Sequence, residues 1–392
     1  MSVLVIENAR VVSAGALKAN QRVICEGGKV VSVEGMKAPS PSGEVVDAKG
    51  MCLAPGFIDL HIHGSGGHLI DDGPDALAAL CRLLPRYGVT SFLPTVCPLP
   101  PGRDEAFLRQ LAQVRQQGSE ILAFHLEGPF LARTGALNAD ALGRADVDRV
   151  QKLISAAGPR GAVFSVSPEL ENAPELIRAM SATGRPAFIT HTGATAEQTQ
   201  AAIEAGARHA THFYDVFPAG PEIDPGVRPC GTVEAILADS RVTVDFILDG
   251  EHVNPLAVEL ARLCKGRSGV CLITDANVGA GLPPGRHVFA GEEIEFRYPG
   301  GPARMTENAR SPGALAGSGL TMDQALRNAM KMLKIDLGDA LAMVSENPAR
   351  VLGLAGSKGS ISAGFDADLV LLDENLRVKQ TWVAGRSVFT AA

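Results

Sequence analysis

The stretch "APGFIDLHIHG", residues 54–64, closes an apolar run with His61 and His63, one residue apart. On a strand, side chains at i and i+2 point to the same side, so the two imidazoles can meet one ion. Polar residues close other apolar runs in the same way. They are Glu127 in "ILAFHLEG", His191 in "PAFITHTG", His212 in "HATHFYD", His252 just after "VTVDFILDG", and Asp275 in "GVCLITDA". Glu127, His191 and His212 form a Glu-His-His set of N and O donors, suited to Zn2+, Fe2+ or Mn2+ and leaving positions for water. With His61 and His63 added there are ligands for two ions, with Glu127 able to bridge them. Taken singly, His191 or His212 reads as a hydrogen-bonded core residue; their shared position at run ends reads as a centre. Asp275 suits a different task, since a carboxylate there can take the proton from water activated by the ion and hand it to a leaving group. Its alternative is a capping or turn aspartate in "TDANVGAG". His125 stands open between support and function. His209, in "GARHATH", reads as a surface or capping residue, and His68 and His287 lack strand context.

These residues need a scaffold that collects strand ends. Eight short apolar runs can be counted, at 56–64, 89–95, 121–128, 162–169, 186–193, 209–215, 242–250 and 269–276. Between them lie stretches with helical spacing such as "DALAALCRLLPRYG", "DVDRVQKLISAAG", "TAEQTQAAIEAG" and "PLAVELARLCKG", several ending in Gly as a helix C-cap would. Near-continuous apolar strands alternating with helices predict a parallel sheet, and eight units predict a closed (β/α)8 barrel whose active site lies at the C-terminal strand ends. A doubly wound open sheet is the alternative. The two chain ends differ from this middle. "LVIENARVVS", "QRVICEGGKVVSVEG" and residues 359–389, with "VAGRSV" as a hairpin, predict small antiparallel strands. The expected organisation is an α/β protein with a small β-sandwich domain from residues 1–53 and 354–392 and a catalytic barrel from 54–353.

A length of 392 residues fits a barrel of about 250 residues plus a satellite. The balance of 36 basic against 43 acidic residues, net −7, with no basic tract, argues against a nucleic-acid partner. No apolar run reaches the roughly 18 residues of a spanning helix, and the start has no signal-peptide pattern, so a cytoplasmic protein without membrane contact is expected. The seven cysteines have no CxxC spacing, and most read as buried thiols.

With those residues in place, the chain resembles the N-acetylglucosamine-6-phosphate deacetylase family of the amidohydrolase superfamily. "APGFIDLHIHG", "HLEGPFL", "THTGAT", "THFYD", "DGEHV", "LITDA" and "GALAGSGLTMDQALRN" occur in the family's order, and "SENPARVLGL" and "GSISAGFDADLVLLD" agree as well. The resemblance implies metal-dependent hydrolysis of an acetamide on a sugar phosphate. Glu127, His191 and His212 would bind the principal metal, His61 and His63 a second, and Asp275 would serve as general base and acid. One or two divalent ions are implied, zinc first, with iron or manganese as alternatives. The fourth run, "AVFSVSPE", has no lysine to carbamylate. The resemblance also sets Asp215 and Ala316 against the substrate. It gives its phosphate to His252 and to Arg228 reaching in from a neighbouring subunit, hence a homodimer.

Two departures bear on the substrate. Leu137 stands near the place of a histidine that helps polarise the substrate carbonyl, and removing such a donor costs about 100 to 1000-fold where it is used. Asp215 stands where the family has asparagine, and a carboxylate beside a phosphate dianion is repulsive. An unphosphorylated N-acyl amine or amino sugar is therefore the close alternative substrate. A deaminase or cyclic-amide hydrolase of the same superfamily, and a non-catalytic sugar-phosphate sensor, are the more distant ones.

Overall fold

The computed structural model describes residues 3–13, 16–36, 42–143, 145–219, 224–227 and 229–392. Its centre is a barrel of eight parallel strands: Phe57–Ile62, Val89–Val96, Phe124–Leu126, Ala162–Val166, Ala187–Ile189, Ala207–Ala210, Thr243–Ile247 and Val270–Ile273. These strands are almost wholly buried, because helices cover one face and the barrel interior the other. The eighth strand meets the first through a parallel bridge, Ile62 to Ala276, and the Asp275 N–H donates to the His61 carbonyl at 2.9 Å, which closes the ring. All eight apolar runs of the sequence contain or overlap these strands. The sixth is displaced, since its strand ends at Ala210 and "THFYD" becomes the loop that follows.

Each strand leads to a helix, and the helix ends follow from local chemistry. The Asp146 side chain caps Val147–Ala157, and Thr195 with Gln198 forms a capping box on Ala196–Ala205. Gly158, Gly206 and Gly266 end the helices that precede them. The first unit is interrupted by a short hairpin, Gly64–Ser65 with His68–Leu69, and the eighth by a larger insertion. Before helix Met322–Leu333, a four-stranded antiparallel sheet intervenes, Gly285–Phe289, Glu292–Phe296, Pro302–Met305 and Leu315–Ser318, which the sequence reading did not anticipate. It packs Phe289, Ile294, Phe296 and Met305 over Leu137 and roofs part of the barrel mouth.

Strands from both chain ends form a second, eight-stranded sheet with its own core, including Leu4, Ile6, Val23, Leu53, Leu369 and Trp382. Antiparallel pairing of Leu369–Leu372 with Cys52–Pro55 joins the two ends, and Val378–Val383 with Arg386–Thr390 is the expected hairpin. The seven cysteines are all free, with Cys230 and Cys264 exposed and the others buried. Among the described residues, no helix is long and apolar enough to cross a membrane.

Candidate metal and acid-base centre

The first barrel strand alternates Asp59, His61 and His63 on its inner side, and the strand ends opposite bring four more groups to meet them. Glu127 directly follows the third strand. His191, His212 and Asp275 each stand two residues beyond the fifth, sixth and eighth strands, and each adopts a left-handed backbone, with φ of 50°, 35° and 44°. Three non-glycine residues in that region at one mouth cost of order 1–3 kcal/mol each, strain that the packed barrel sustains and that turns each side chain inward.

The donors converge. Glu127 Oε1 lies 3.1 Å from His191 Nε2 and 3.0 Å from His212 Nε2, while Oε2 lies 3.0 Å from His63 Nε2 and 3.6 Å from His61 Nε2. His61 Nε2 and His63 Nε2 are 3.2 Å apart, and Asp275 Oδ1 is 3.5 Å from both. Tetrahedral bonds of about 2.0–2.1 Å give edges of roughly 3.3–3.4 Å, in the middle of the 3.0 to 3.6 Å separations found here. His61, His63 and Glu127 form one group able to hold an ion, and Glu127, His191 and His212 another, with the carboxylate common to both. Each imidazole engages through its other nitrogen: His61 Nδ1 with Thr211 Oγ1, His63 Nδ1 with Cys97 Sγ, His191 Nδ1 with the Arg133 carbonyl, and His212 Nδ1 with Thr190 Oγ1. That is the outer support expected of ligating histidines.

The electrostatics agree. Burial would push His63 and His212 toward the neutral form, but hydrogen bonding and charge from Glu127, with help from Asp275, raise them to about 9 and about 10. Burial likewise opposes the Glu127 carboxylate, yet the surrounding imidazoles hold it well below its usual range. Protons gather where a cation would sit.

A buried layer beneath aims these groups. Asp245 accepts from the His212 N–H at 2.6 Å, the Thr211 hydroxyl and His209 Nε2 at 2.8 Å. His209 is thus fully buried inside the sixth strand, not at the surface, because the helix stops at Gly206 and strand alternation starts at once. Asp59 accepts from Thr274, and burial raises it to about 7. His125 is supportive: Nε2 meets Ser165 Oγ at 2.8 Å, Nδ1 meets the Leu60 carbonyl, and burial keeps it neutral.

On the substrate side, His252 Nδ1 meets Asp249 Oδ2 at 2.6 Å, and its buried Nε2 has no hydrogen-bond partner among the described residues. Burial opposes its charge, but Asp249 and then Asp215 raise it, so Asp215 lies close enough to be felt by His252 and by His212. Leu137 is 2% exposed, sealed in the apolar cluster under the roof sheet. Ala316 is buried in that cluster too, with its carbonyl accepting from Asn277 Nδ2 at 2.6 Å. Arg228 lies outside the described residues. Sequence reasoning missed Gly317 and Gly135. A Cβ on Gly317 would stand 2.8 Å from the Asp275 carbonyl oxygen, and one on Gly135 2.8 Å from His191 Cε1, so the two glycines let a roof strand and a loop press against site residues. The only signal was a glycine beside small residues in "RTGAL" and "LAGSG".

A closed parallel barrel with this donor set at its strand ends defines a metal-dependent hydrolase. The amidohydrolase family model matches residues 52–388. The N-acetylgalactosamine-6-phosphate deacetylase of Escherichia coli O157:H7 is 35% identical, covering 85% of this chain and 87% of its own length. The N-acetylglucosamine-6-phosphate deacetylase of Lysinibacillus sphaericus is 32% identical over 98% and 97%. A mutant of the Mycobacterium smegmatis N-acetyl-D-glucosamine-6-phosphate deacetylase, solved in complex with N-acetyl-D-glucosamine-6-phosphate, superposes with a TM-score of 0.88 at 30% identity, covering all of both chains. The chain belongs to the amidohydrolase family, within its N-acetylglucosamine-6-phosphate deacetylase branch, and is a hydrolase acting on linear amide bonds.

Proposed function

We propose that this enzyme is a cytoplasmic deacetylase of N-acetylated hexosamine 6-phosphates, with N-acetylglucosamine-6-phosphate first and its galactosamine counterpart next, releasing acetate and the amine. The observation that carries the reading is the convergence of Glu127, His61, His63, His191 and His212 on one point beside Asp275. Glu127, His191 and His212 would hold the principal divalent ion and His61, His63 and Glu127 a second, zinc first. When bound, such an ion acidifies water and polarises an amide carbonyl. Asp275 takes the proton from the attacking water and then delivers it to the departing amine nitrogen, so the carboxylate ends each cycle as it began. Buried and held by Asp249, His252 offers Nε2–H to the phosphate as a charged donor. Arg228 from a second subunit would complete that grip in a homodimer, and Asp215 and Ala316 would border the sugar.

One observation favours a second reading. Asp215 shares the surroundings of His252, and its charge weakens the case for a dianion there, which leaves an unphosphorylated N-acetyl amino sugar as the competing substrate. Acetate release should be measured with both phosphorylated sugars and their unphosphorylated forms, using protein of known metal content. Release confined to the phosphorylated pair is the expected result. Release from the unphosphorylated sugars alone supports the second reading, and release from none, with metal bound, moves the substrate elsewhere.

A further inference from the structure

One face of the centre points away from Glu127. His63 stands directly beyond the first barrel strand, Cys97 directly beyond the second, and Asp71 in the short turn of 3-10 helix Ile70–Asp72. Cys97 Sγ lies 3.6 Å from His63 Nδ1, and the Cys97 backbone N–H donates to Asp71 Oδ1 at 3.3 Å. One donor atom from each of the three side chains fits within a span of 4.8 Å. Sulfur at about 2.3 Å and nitrogen at about 2.0–2.1 Å from a tetrahedral ion stand roughly 3.6 Å apart, which matches the measured separation. Cys97 thus reaches the His63 nitrogen that the central cluster leaves unused, and Asp71 stands against Cys97.

We propose that His63 Nδ1, Cys97 Sγ and the Asp71 carboxylate form an additional site for a thiophilic divalent ion such as Zn2+ or Co2+, flanking the central cluster and sharing only His63 with it. The mixed N, S and O set favours borderline ions over Mg2+ or Ca2+, which bind through oxygen. Loading the site releases the Cys97 thiol proton. With His63 Nε2 also ligating on the central side, the imidazole's remaining N–H proton leaves as well, and the ring bridges two ions as imidazolate. The site shares His63 with the ligands proposed above but does not depend on what the substrate is. A purely structural role, in which the thiol only orients His63, is the competing account.

Cobalt separates the two. Metal-stripped protein reloaded with Co2+ should show the near-ultraviolet thiolate-to-cobalt charge-transfer absorption, and Cys97→Ser should lose that band together with one equivalent of bound cobalt per chain. Asp71→Asn, which keeps the thiol, should weaken cobalt retention at the same band. Glu127→Gln should lose cobalt from the central cluster and keep the band. A cobalt-loaded wild-type protein without the band overturns the proposal, as does a band that survives Cys97→Ser. Absence of acetate release alongside an intact band would count against the substrate reading alone.

Discussion

Substituting Gly317 by Ala tests the proposed role of Asp275 without touching a titratable group. Gly317 has φ of 72° and lies where the final roof strand passes the end of the eighth barrel strand. The new methyl would meet the Asp275 carbonyl oxygen at 2.8 Å and Asn277 Nδ2 at 3.1 Å, with Asp275 Oδ1 at 3.6 Å. Ordinary contact begins near 3.4 Å, so the backbone at Asp275 must retreat by about 0.6 Å. Alanine in the left-handed region adds roughly 1–2 kcal/mol of strain. A misplacement of about 1 Å can cost on the order of 100-fold, so kcat should fall roughly 10 to 100-fold. Metal content should not change, because the clash falls on Asp275 and not on the ligands. Initial rates of acetate release with parallel elemental analysis provide the assay. A kcat within about twofold of wild type, in folded protein with full metal, would refute the claim that Asp275 must stand where it does.

Asp275→Asn should lower turnover by at least about 100-fold while leaving bound metal unchanged, as read by elemental analysis. Asp215→Asn should lower KM for a phosphorylated sugar by about tenfold and leave an unphosphorylated sugar unaffected; at an effective dielectric near 20 a charge pair about 6 Å apart opposes by almost 3 kcal/mol, only part of which His252 leaves uncancelled. In metal-free protein, His63 and His212 are raised to about 9 and about 10, above their unfolded value, so their protonated forms stabilise the fold most below the unfolded pKa. That contribution is lost progressively as pH climbs from about 6.5 to about 9 for His63 and about 10 for His212, so Tm of the stripped protein should fall across this window, and a flat Tm would contradict it. Metal affinity should rise as pH approaches those values from below and level off above them, because binding displaces those protons.

The barrel was legible because its strands are buried on both sides and read as unbroken apolar runs, while Thr195, Asp146 and the closing glycines mark helix ends. The centre was legible from one rule, that polar residues at parallel strand ends meet at the mouth, and the resemblance narrowed the chemistry. The roof sheet escaped because its strands are half exposed and charged, as in "EEIEF", and carry neither periodicity cleanly. His209 was misread since a helix and a strand meet there with almost no loop. Asp59 and Asp245 act through contacts with distant strands, and Cys97 meets His63 only once two strands pair. Backbone angles such as the positive φ of Asp275 leave no mark in composition.

The sheet that joins the two chain ends sets an order on synthesis. Cys52–Pro55 can pair with Val3–Ser13 early, but its other edge receives Leu369–Leu372 only after the entire barrel has been made. Until then an apolar strand edge over Leu53 is left open, the kind of edge that templates association between nascent chains. Trp382, wholly buried when the sheet is complete, comes from the last part of the sheet to arrive. Ribosome-stalled chains that lack the final strands should therefore hold a folded barrel with an unsealed flank, and chaperone occupancy along the transcript should end only when Trp382 emerges.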